Sequence, residues 1–177
     1  IFVYAGNIGL AQGIDFQYEI VRSMSKHRNI GFLFVGRGSE KSRLEEKIRD
    51  HSITNALFID EIPSDEIPGL LSHCHAGFLA VDRRHKSHNI PGKFLAYMQN
   101  RLPVLACVNK GNDIIDLIRD YDVGFTYTGE EHEDIETVAL GLHNRVESDN
   151  NYEANCDKIL KEVFSVENCV KQITDSF

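Results

Sequence analysis

The sequence predicts one α/β domain across residues 1–177. Its centre is a doubly wound, Rossmann-like parallel sheet of about six strands, with extra helices at the C-terminal end. Two observations carry this reading. Six short runs are rich in Val, Ile, Leu and Phe on both faces, as strands covered on both sides must be. Between them lie stretches whose apolar residues recur at helical spacing, so strands and helices alternate along the chain. Right-handed crossovers then leave a doubly wound sheet as the simplest topology. The 177 residues suffice for one sizeable core.

The elements follow in order. Ile1–Ala5 reads as a buried strand, and Gly6-Asn7-Ile8-Gly9 as the loop that leaves it. From Gly13 to Lys26, Ile14, Tyr18, Val21 and Met24 lie close to helical period. Ile30–Val35 is a second strand, ended by Gly36-Arg37-Gly38, and Ser39 is placed to cap the helix that carries Leu44 and Ile48 inward. Ala56–Ile59 is a third strand, after which Ser64-Asp65-Glu66 opens a helix through Leu70 and Leu71. Ala76–Val81 is the fourth. A polar loop leads to Pro91, where a helix with Phe94, Leu95 and Met98 starts. Pro103–Val108, a helix over Asp113–Arg119, and Gly124–Tyr127 complete the alternation. The tail is helical, with Val138, Leu142 and Val146 in period, a break at Asp149-Asn150-Asn151, then Ile159, Leu160, Val163 and Phe164. The chain opens inside a strand-like run, which reads as a cut between domains.

Composition narrows the function. The net charge of −8 argues against nucleic acid as the main partner, because phosphate backbones need a basic surface. One local phosphate site stays compatible with it. The four cysteines, Cys74, Cys107, Cys156 and Cys169, lack CxxC spacing and read as free thiols in a reducing, cytoplasmic setting. The histidines form neither an HExxH string nor a Cys/His cluster at zinc spacing, so no metal is expected.

Ligands of an open parallel sheet bind beyond its C-terminal strand ends. Three loops there carry chemistry. Gly6 to Gly13 lets the backbone approach a ligand and feeds a helix N-terminus, with Asn7 and Gln12 as amide donors and Gly9 as a second tight position. Arg37, between two glycines, suits a phosphate, or else pairs with Glu40. Asp82 to Lys93 concentrates basic and polar groups before a helix. Lys93 in that helix's first turn opposes the helix dipole unless an anion sits there too. Asp60-Glu61 is an acidic pair at a strand end, fit for a base or ribose, or merely a helix-entry charge.

These loops, in this order, resemble the C-terminal domain of family-four GT-B glycosyltransferases, especially bacterial enzymes of O-antigen and capsule assembly. The resemblance rests on YAGNIGLAQGID, FLFVGRGSEKSRLEE, NALFIDEIPSDEIPGLLSHCHAGFLAV, and IPGKFLAYMQNRLPVLA followed by NKGNDIIDLIRDYDVGF, and covers residues 1 to about 127. It implies a retaining enzyme that takes sugar from a UDP- or GDP-sugar donor, UDP first, without metal. The acceptor, a glycan or lipid-linked, would sit on an absent N-terminal domain, at the inner face of the membrane where lipid-linked acceptors are used. Donor contacts would come from Gly6, Asn7, Gly9, Gln12, Arg37, Glu61, Ile62, Ser87, Asn89, Ile90, Gly92 and Lys93, and no catalytic residue is assigned. Two departures stand out: His88 and Ala96 occupy places where the family often carries glutamates, so its usual ribose contact is missing. A nucleotide-sugar epimerase of the same architecture and a catalytically degenerate binding domain are the alternatives. A receiver-like module lacks its clustered aspartates.

Overall fold

Each of the six apolar runs becomes a strand in the computed structural model, which describes residues 1–84, 90–148 and 151–174. The strands are β1 (Phe2–Ala5), β2 (Phe32–Val35), β3 (Ala56–Ile59), β4 (Ala76–Ala80), β5 (Val104–Cys107) and β6 (Gly124–Tyr127). They form one parallel sheet in the order β3-β2-β1-β4-β5-β6. The helices are α1 (Ile14–Ser23), α2 (Lys41–Asp50), α3 (Ile67–Leu71), α4 (Gly92–Gln99), α5 (Ile114–Tyr121), α6 (Ile135–Ser148), α7 (Tyr152–Glu162) and α8 (Val166–Thr174).

The period of two along each strand sorts the core into two layers. Phe2, Tyr4, Phe32, Phe34 and Phe78 meet Phe16, Ile20, Leu44 and Leu142 on one face. Val3, Leu79, Val104 and Ala106 meet Leu71, Phe94, Met98, Ile118 and Ile159 on the other. Edge strand β3 is less enclosed than its composition suggests, and Leu57 stands exposed.

Several boundaries differ from the sequence reading. Ser39 does not cap α2: Glu40 holds the N-cap position without a side-chain bond, and its backbone N–H instead donates to the Ile8 carbonyl at 3.0 Å. The pull of the neighbouring loop thus displaces the helix start by one residue. The Gly13–Lys26 helix is interrupted at Ser23, where a 3-10 turn over Met24–Lys26 takes over. A second such turn, Leu10–Gln12, occupies what reads as loop. The tail holds three helices, since Ser165 separates α7 from α8.

One seam in the sheet is short. β1 and β4 share two register pairs, Phe2 with Ala76 and Val3 with Gly77. All four other neighbouring strand pairs share four. Beyond Val3 and Gly77 the two strands part, and their C-terminal ends open a crevice at the point where strand order reverses.

Candidate functional site

The crevice holds a cavity of about 300 Å³ between Ala11-Gln12 on one side and Pro91-Gly92-Lys93 on the other. Its first wall is shaped by amide side chains. Gln12 Oε1 accepts from Asn7 Nδ2 at 3.1 Å and from the Gly9 N–H at 3.0 Å. Asn7 and Gln12, expected as free donors, therefore lock each other and hold the loop in shape. The backbone N–H groups of Asn7, Leu10 and Ala11 have no acceptor among the described residues. Asp82 N–H donates to the Ala11 carbonyl at 3.0 Å, which ties this loop to the end of β4.

A second loop runs beside the first. Gly6 N–H donates to Val35 O and Ile8 N–H to Arg37 O, both at 2.8 Å, so the β1–β2 pairing continues past the strands. A Cβ on Gly36 would overlap the Gly6 carbonyl oxygen, and one on Gly38 the Ile8 carbonyl oxygen. These glycines exist for loop-on-loop packing. Arg37 between them pairs with Glu61 (Nε to Oε2, 2.9 Å) and is 82% exposed, whereas Glu40 pairs with Arg43. Such an exposed pair contributes little and is readily exchanged for a ligand.

The Asp60–Ile62 segment is anchored from below. Lys41, only 15% exposed, donates to Ile59 O at 3.1 Å and to Asp60 Oδ1 at 2.7 Å. That bond holds the Asp60 carboxyl below its usual pKa. Lys41→Met is expected to destabilise the domain by about 1 kcal/mol. It should also speed amide exchange at Glu61 and Ile62 while the sheet centre stays protected, as read by NMR hydrogen exchange.

The second wall is the start of α4. Its N-cap, Pro91, offers no side-chain acceptor, so among the described residues the Gly92 and Lys93 amides have no cap. Lys93 is half-buried there. Its Nζ stands 4.7 Å from the centre of the Tyr4 ring, and its tip lies against Gly6. No carboxylate or carbonyl meets this ammonium among the described residues. Burial lowers its pKa to about 8.

The structure thus brings Gly6, Asn7, Gly9, Gln12, Gly92 and Lys93 to one crevice, whereas Arg37 follows β2, with its carbonyl on the Ile8 N–H and its side chain on Glu61, and Ile62 follows Glu61 beyond β3. Ile90 packs into the second core layer instead. Ser87, Asn89 and His88 lie outside the described residues. Sequence reasoning passed over Tyr4, which underlies Lys93, and Tyr97, whose place four residues after Lys93 puts both on one helix face.

Two other features compete for attention. A larger cavity of about 730 Å³ lies at the opposite sheet edge, around Ile1, Phe32 and Leu57, by the N-terminal ends of β2 and β3. Glu130, His132 and Glu133 each bring a ligand atom within 4.8 Å of the others. Both carboxylates are already engaged. Glu133 accepts from Thr128 and Gly129, and Glu130 pairs with Lys110. Among the described residues, no helix is long and apolar enough to cross a membrane.

Comparison with known proteins converges on one family. The profile of "Glycosyl transferases group 1" matches residues 1–159. "Probable glycosyltransferase WbjE" of Pseudomonas aeruginosa is 22% identical over 125 residues, which cover 71% of this chain and 31% of that protein. The fold recurs in S. aureus TarM solved with UDP, at a TM-score of 0.74 and 16% identity, over 98% of this chain and 34% of that one. It recurs also in the C-terminal domain of LpcC from Francisella tularensis, at a TM-score of 0.67 and 17% identity, over 93% and 85% of the two chains. The chain spans about a third of the length of WbjE and of TarM.

Proposed function

This chain belongs to the glycosyl transferases group 1 family, and from that premise we propose that it is the donor-binding C-terminal half of a retaining GT-B enzyme that transfers sugar from a UDP-sugar. The observation that carries the reading is Lys93: a half-buried ammonium without an anionic partner among the described residues, set at an uncapped helix N-terminus across a crevice from free loop amides. A cation so placed is unfavourable alone and favourable beside a diphosphate. UDP in the TarM structure supports the choice of nucleotide, and likeness to the LpcC C-terminal domain supports the choice of half.

The chemistry follows from charge. As the glycosidic bond to the leaving diphosphate breaks, negative charge grows on the departing oxygens. Donors fixed in advance at that place lower the barrier. Lys93 and the amides of α4 and the first loop supply them, so the diphosphate is met without metal. Arg37, Glu61 and Ile62 would flank the uracil end. Ala96 brings no carboxylate to α4, so the ribose would rest on backbone groups. The acceptor, a glycan or lipid-linked glycan of O-antigen or capsule type, would bind a domain outside this sequence, on the cytoplasmic side.

Calorimetric titration with UDP, GDP and uridine tests this. UDP is expected to bind at least roughly tenfold tighter than uridine, the margin of one good charge-assisted contact. Equal affinity for UDP and uridine, or no heat with any nucleotide at millimolar concentration, would sink the proposal. Gly92 adds a local test. A Cβ there meets nothing within 4 Å, and alanine favours the helix. Gly92→Ala should therefore hold or raise thermal stability while weakening UDP several-fold, because a methyl would crowd a phosphate lying on the first turn.

A further inference from the structure

Resting on the reading of Lys93 as the diphosphate cation, we propose that Tyr97 is a positioning residue: its hydroxyl pins α4 into the fork between β1 and β4 and so sets the depth of Lys93 in the crevice. The fork has a chemical cost. Once the strands part beyond Val3 and Gly77, backbone groups there lose ladder partners, and buried groups left unpaired are strongly unfavourable. Tyr97 takes their place. It is fully buried, and its hydroxyl lies 3.1 Å from Val3 O, 3.0 Å from Phe78 O and 3.4 Å from the Ala5 N–H. One side chain thus touches both diverging strands, accepting from Ala5 and donating to one carbonyl at a time.

The ring needs room to reach this place. A Cβ on Gly77 would overlap it, so the residue at the last β1–β4 pair is a glycine. Lys93 precedes Tyr97 by one helical turn on the same face, and its Nζ sits over the ring of Tyr4, the residue between Val3 and Ala5 in β1. Removing the hydroxyl orphans two backbone groups at once, the Ala5 N–H and the Phe78 carbonyl, beyond the last register pair. Water reaches them only if α4 lifts from the fork, and that movement carries Lys93 off Tyr4 toward solvent.

The test uses the whole 177-residue chain. Three quantities are read in wild type and Tyr97→Phe: the Lys93 pKa by NMR of ¹³C-lysine, the ratio of UDP to uridine affinity by calorimetry, and the thermal midpoint. Positioning predicts a Lys93 pKa that rises toward the ordinary lysine value, uridine affinity retained, and a UDP-to-uridine ratio reduced roughly five- to tenfold. In a Lys93→Ala background, Tyr97→Phe should change UDP affinity no further, because the two act as a unit. A lower thermal midpoint with unchanged Lys93 pKa and unchanged ratio overturns the proposal. If Tyr97→Phe unfolds in buffer, the same readings are made in trimethylamine oxide, which favours the compact state. The two readings fail separately. UDP binding indifferent to Lys93→Ala would remove the diphosphate site, while the Lys93 pKa in the unliganded chain would still decide the role of Tyr97.

Discussion

Lys93→Met is expected to weaken UDP binding by roughly ten- to a hundredfold and leave uridine binding unchanged. Hydrogen bonds to charged groups contribute about 1.5–3 kcal/mol, and each 1.4 kcal/mol is about tenfold in affinity. Uridine lacks the phosphates and is indifferent to the change. The effect carries a pH signature. Burial holds the Lys93 pKa near 8, and a bound diphosphate would raise it. The binding form is the protonated one, so above the range where the UDP phosphate itself titrates, at about pH 6, affinity should hold up to about pH 8 and fall as pH rises further, in calorimetry across that range. The methionine variant should lack this fall.

Stability responds with the opposite slope. The unfolded chain keeps the lysine proton up to about pH 10.4, whereas the folded chain releases it near 8. Between those values unfolding takes up a proton, so this residue makes stability rise with pH across that window. Removing the charge should also stabilise the unliganded domain below pH 8. A variant that binds worse and folds better separates a functional lysine from a structural one. A Lys93→Met chain that loses stability and keeps UDP would contradict the assignment.

The largest structural effect is expected at Gly36. Its φ is +142°, a conformation that L side chains rarely adopt, and a Cβ would overlap the Gly6 carbonyl oxygen. That neighbour is backbone, held by the Gly6 N–H bond to Val35 O, so it cannot swing aside. Gly36→Ala should destabilise the domain by about 3–5 kcal/mol, the range of substitutions that force backbone apart. Gly69→Ala, inside α3 where a Cβ meets nothing within 4 Å, should hold or raise the urea midpoint. A Gly36→Ala domain as stable as Gly69→Ala would show that the two loops do not pack as described.

The sheet was legible because its signal is local. Phe2, Val3 and Tyr4 are apolar on both faces, and the structure places them in both core layers. The glycine-rich ends of β1 and β2 were equally legible as turns, but their reason was not. Gly36 and Gly38 read as the end of a strand, and the structure adds that each makes room for the neighbouring loop. Asn7 and Gln12 looked like donors for a phosphate, yet they bond to each other, because a bond across five residues is not written in either one's identity. Arg37 was weighed against Glu40, which is near in sequence, and met Glu61, which is near in space. Lys93 stands out in the sequence as a charge at odds with its helix, and the structure places it half-buried at the crevice. Tyr97 escaped notice since an aromatic on an inner helix face ordinarily means packing, and only the parting of β1 from β4 gives its hydroxyl work.

That parting also bears on how the domain assembles. β1, β2 and β3 are joined by one crossover at a time, as are β4, β5 and β6, so each half-sheet closes short loops. Phe2 must find Ala76 across the whole first half, for only two register pairs. Loop closure of that span precedes most of the contacts that reward it, which makes this junction the slow, long-range step. The crevice is then the last part of the molecule to take shape. A nucleotide seated across it would act as a clamp on the two half-sheets, and the occupied domain would come apart more slowly than the empty one.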